Sequence, residues 1–133
     1  MAETITRAKQ NTEETPRPMR DLILQLPLLN VTPSLEIDYP AADAALLVQV
    51  ADNAETAMHV VQLGLSAVGQ LLVRAAPEVE AGEISRNSIE ALGWLMSELG
   101  DFSATAFALA SACRRFTSDY APYQSQHVPG ARP

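Results

Sequence analysis

The sequence predicts an all-α fold: an antiparallel two-helix hairpin with an N-terminal apolar strap, assembling as a four-helix bundle dimer. Three observations predict it. Between residues 87 and 117, Leu92, Leu95, Leu99, Phe102, Ala106, Leu109, Cys113 and Phe116 recur at alternating steps of three and four. That spacing puts apolar side chains on one helix face. Between residues 40 and 76, Leu47, Ala51, Ala54, Met58, Val61, Leu65, Val68 and Leu72 keep the same rhythm through four heptads without a slip. The composition agrees: 47% hydrophobic and rich in Ala, with only 5% aromatic residues. Close-packed helices suit such a mixture better than a sheet does.

Residues 1–17 are polar and carry almost no large apolar side chain. They read as a disordered tail, because they bury too little to offset the entropy of ordering. Residues 18–37 differ sharply. Nine Leu, Ile and Val residues crowd between Pro18, Pro27, Pro33 and Pro40. The prolines forbid one long helix, so a short helical turn over 19–25 followed by an extended strap is expected. So apolar a segment belongs in the groove of the hairpin or on a second subunit.

Tyr39-Pro40 marks the expected start of the first long helix, with proline at its first position. A second row, Leu46, Val50, Ala57, Val60, Gly64, Ala67 and Leu71, flanks the main seam. Two adjacent apolar rows call for two neighbours. Ala76-Pro77 is the expected end of the helix. An acidic turn with Gly82 follows. Asn87 and Glu90 then have a capping-box layout, with Ser85 a competing cap. The second helix runs to about Thr117, and residues 118–133 read as another disordered tail. The hairpin domain with its strap thus spans 18–117.

Charge and motifs exclude more than they assign. The net charge is −7, and residues 21–113 hold twelve acids and two bases, a net of −10. An acidic body disfavours direct nucleic-acid contact, which needs a basic patch, and an anionic membrane surface. The single cysteine, Cys113, allows no intrachain disulfide and reads as a small buried hydrophobe. No uninterrupted apolar run reaches a membrane span, and the first residues lack the apolar core of a signal peptide. A cytoplasmic bacterial protein is the expectation.

Asp52, Glu55, His59, Gln62, Ser66 and Gln70 form a polar stripe on the first helix. Glu55 and His59 could share a metal. Four-helix di-iron proteins, however, need Glu-x-x-His on two helices and two more glutamates. A solvated face is the simpler reading, and no metal or cofactor is expected. Glu90, Glu98 and Asp101 share the polar side of the second helix without an evident pocket to separate their pKa values. Phosphate loops, nucleophile elbows and Cys-x-x-Cys are missing, which weighs against an enzyme.

Interface candidates are more visible. Trp94 projects beside a polar face, as interface anchors do, or else covers the end of the strap. Ile89, Met96 and Phe107 lie on a second row of the second helix with Gly100 and Ser103. One partner helix cannot cover both rows, so this row is the expected dimer face. Val50, Val60 and Leu71 on the first helix are its alternative.

The order LNVTPSLEIDYPAADAALLVQVADNAETA, an acidic turn, then SIEALGWLMSELGDFSATAFALA resembles small helical-hairpin proteins of unknown function from proteobacteria. The likeness covers about residues 28–112. It implies the architecture, with a short Val-x-Pro strap before two long helices, and no activity. The functional expectation is a non-enzymatic oligomeric interaction or regulatory protein acting through helix faces, with a second copy and an unidentified protein as partners. The alternative is an acidic inhibitor, antitoxin-like or a nucleic-acid mimic, that blocks a basic site on a partner.

Overall fold

The computed structural model describes residues 15–120, and these residues are all-α. The tail readings of residues 1–17 and 118–133 fall mostly outside that range. Three α-helices follow one another: α1 (Pro18–Gln25), α2 (Ala44–Glu80) and α3 (Arg86–Phe116). A 3-10 turn, Leu26–Leu28, extends α1. At 1.5 Å per residue, α2 is about 55 Å long.

Both long helices differ from expectation at their ends. α2 starts at Ala44, four residues after Pro40. Residues 39–42 form a separate turn, with the Ala42 amide donating to the Tyr39 carbonyl at 3.2 Å. The Asp43 carboxylate accepts from the Ala45 amide at 3.3 Å and caps the helix there. At the other end α2 passes through Pro77 to Glu80. Proline in a last turn forfeits one hydrogen bond, and the helix survives it. The stop is Gly82, at φ +79°. Its amide donates to Val79 and the Glu83 amide to Glu78, which satisfies the last carbonyls in the Schellman pattern. For α3 the cap is Ser85, not Asn87: the Ser85 hydroxyl accepts from the Ser88 amide at 3.2 Å.

α3 runs back along α2, since Arg114 near its end reaches Asp52 and Glu55 near the start of α2. The expected α2 seam is the packed one: Leu47, Ala51, Ala54 and Val61 are buried, and Met58, Leu65, Val68 and Leu72 are half-buried. On α3 the buried positions are Ala106, Ala110 and Cys113. The contact line is therefore rotated from the expected row, and Leu95 and Phe116 lie at its edge, exposed.

α1 lies across α2, with Leu22 and Leu29 buried in a cluster with Leu47, Val50, Ala51, Ala54, Ala106, Ala110 and Cys113. The four alanines allow the long helices to approach closely, and the two leucines close the top. Residues 30–38 fold back as a tight loop through a Val31–Ile37 bridge. The strap ends in Tyr39, whose ring stacks on Phe116 at 5.2 Å. The core therefore occupies one end of the helix pair, called proximal below. The far, distal end has only the α2–α3 seam.

Candidate interaction surface

The apolar rows of α2 and α3 run the full length of the pair, but the strap covers only part of them. Val50 and Ala57 on α2 are both 0% exposed beneath it. Gly64 and Leu71 continue that row at the same seven-residue step, and Leu71 is 64% exposed. Val60 and Leu63 nearby are exposed too. On α3, Phe102 and Leu109 are half-buried against the core, whereas Leu95, seven residues before Phe102, is 54% exposed. Trp94 beside it is 67% exposed. Among the described residues, the groove that α1 fills thus continues distally as an open apolar trough.

Composition explains why the trough is apolar. Residues 56–73 include no Asp, Glu, Lys or Arg. By length and composition alone α2 could cross a membrane, and only 11% of its most apolar 18-residue stretch is buried.

The opposite flank of the pair is different. Met58, Gln62, Leu65, Gly100, Ser103, Ala104 and Phe107 line an open groove of about 580 Å³. The amide of Gln62 and the hydroxyl of Ser103 make it more polar than the trough. Phe107 is exposed at its edge. Further toward the proximal end, Arg114 closes this flank. Its Nε and Nη2 donate to the two Glu55 carboxylate oxygens, both at 3.0 Å, and Nη2 also donates to Asp52. Hydrogen bonds to Glu55 first and Asp52 second hold the guanidinium above its ordinary pKa, so it stays charged throughout.

The interface candidates therefore separate. Val60 and Leu71 lie on the bare part of the strap-side row. Val50 does not belong to a free face: it is buried in the chain's own core, because α1 packs directly on it. Ile89 and Met96 are half-buried, on the same row of α3 as Ser103 and Phe107. Phe107 lies on the other flank, in the groove. Trp94 sits distal to the strap and does not cover it. Sequence reasoning kept the α3 row apart from the α2 row; which of them the chain's own strap covers is set by the position of α1. The Arg114–Glu55–Asp52 ion pairs were missed. The available signal was that antiparallel pairing brings the last turn of one helix to the first turns of the other.

Catalytic geometry is thin. Glu55 is committed to Arg114, which leaves exposed His59 without that carboxylate as a co-ligand. Among the described residues no group of three or more His, Cys, Asp or Glu could hold a metal ion. Glu90, Glu98 and Asp101 are exposed on α3. Cys113 is fully buried, and burial pushes its thiol above the ordinary range. Burial raises the neighbouring Tyr39 phenol likewise. Comparison with protein-family models, characterised proteins and solved structures finds no match.

Proposed function

We propose that the chain is a non-enzymatic interaction or regulatory protein that works through the faces of its two long helices, as an oligomer. The observation that supports this is the trough. The strap seals the proximal half of one face and leaves its apolar continuation open, and contiguous apolar surface of that kind marks an interaction site. The half-buried Ile89–Met96 edge and the Phe107 groove offer a second, smaller face on the other flank.

The test compares the unsubstituted chain with Leu71→Glu and Phe107→Glu, by sedimentation equilibrium and by affinity capture from the source cell. The expected result is that one variant loses an association, with itself or with another protein, at unchanged helicity by circular dichroism. If both variants keep the mass and the bound proteins of the unsubstituted chain, the reading fails. A second reading has one observation behind it: Glu78, Glu80 and Glu83 are all exposed around the distal turn. There the carboxylates would occupy a basic cleft on a partner. Added salt, and not apolar substitution, would then release that partner.

A further inference from the structure

We draw no further inference here: the strongest candidate, the apolar trough that runs along α2 from Val60 to Leu71, distal to α1, is an unpartnered face, and nothing in the structure shows what covers it.

Discussion

Arg114 shows how a single side chain ties two helix ends. Its guanidinium fork grips Glu55 through both oxygens and Asp52 through one, a geometry that lysine cannot copy. The three side chains are 41–62% exposed, so screening limits the net worth to about 1 kcal/mol or less. Arg114→Lys should therefore lose about 0.5 kcal/mol in urea unfolding at low salt, and most of that difference should vanish near 1 M salt. A salt-independent loss of several kcal/mol would disprove this account. Cys113 sets a pH dependence of known sign. Burial favours its protonated thiol, as it does the Tyr39 phenol, so the folded chain binds more protons than the unfolded one at alkaline pH. The corresponding stability is fully present below the ordinary thiol pKa of about 8.5 and is lost as pH rises past it. Cys113→Ala should lower stability at pH 7 by leaving a small void, yet flatten the decline between pH 8.5 and 10. An equal decline in both proteins would remove Cys113 as a cause. Leu35 is the contrary case. It sits at φ +65°, 87% exposed, where a leucine costs about 1–2 kcal/mol and packs on nothing. Leu35→Gly should raise the melting temperature slightly, because relief of strain exceeds the added unfolded-state entropy; a lower melting temperature would count against strain.

Each helix ends where its backbone groups find partners, and this decides which boundaries the sequence displays. The seam of α2 was legible in full because a strict alternation of four and three has one helical meaning. Its ends were not. Pro40 and Pro77 are strong local signals, but Asp43 and Gly82 satisfy the orphan amides and carbonyls, and satisfaction wins over local preference. Gly82→Ala should accordingly cost about 1 kcal/mol, since alanine resists the left-handed conformation at that position. Pro77→Ala should cost nothing and restore one hydrogen bond. If Pro77→Ala proves the more damaging of the two, the proline is the true stop. The strap was legible as structural from its aliphatic content, but not which flank it would cover, because that depends on packing between helices distant in sequence. Its contribution is testable by truncation. Deleting residues 1–14 should leave the melting temperature nearly unchanged. Deleting 1–37 strips cover from Val50, Ala51 and Ala54 and removes Leu22 and Leu29 from the core. Several kcal/mol of apolar burial are lost with it, so strong destabilisation or aggregation is expected. Similar melting of both truncations would show that the strap holds nothing.

At the scale of the whole chain, stability is concentrated at one end. Among the described residues, every buried apolar one lies between 22 and 61 or between 106 and 113, and the distal half of the pair keeps only half-buried seam contacts. The trough shares this cause: α1 is eight residues long, and among the described residues the strap begins beside Val60. Its apolar rows were visible in the sequence, but its openness was not, since periodicity shows which faces need cover and not where the cover stops. A pair held unequally along its length should open unequally. In a dilute sample, amide hydrogen exchange should give the highest protection at 47–61 and 106–117, near the global unfolding free energy. Residues 63–76 and 88–99 should open at lower cost, because few buried contacts resist them. Uniform protection along both helices at the lowest concentration measured would sink the prediction, because it would mean that the bare seam alone holds the distal half as firmly as the core holds the proximal one.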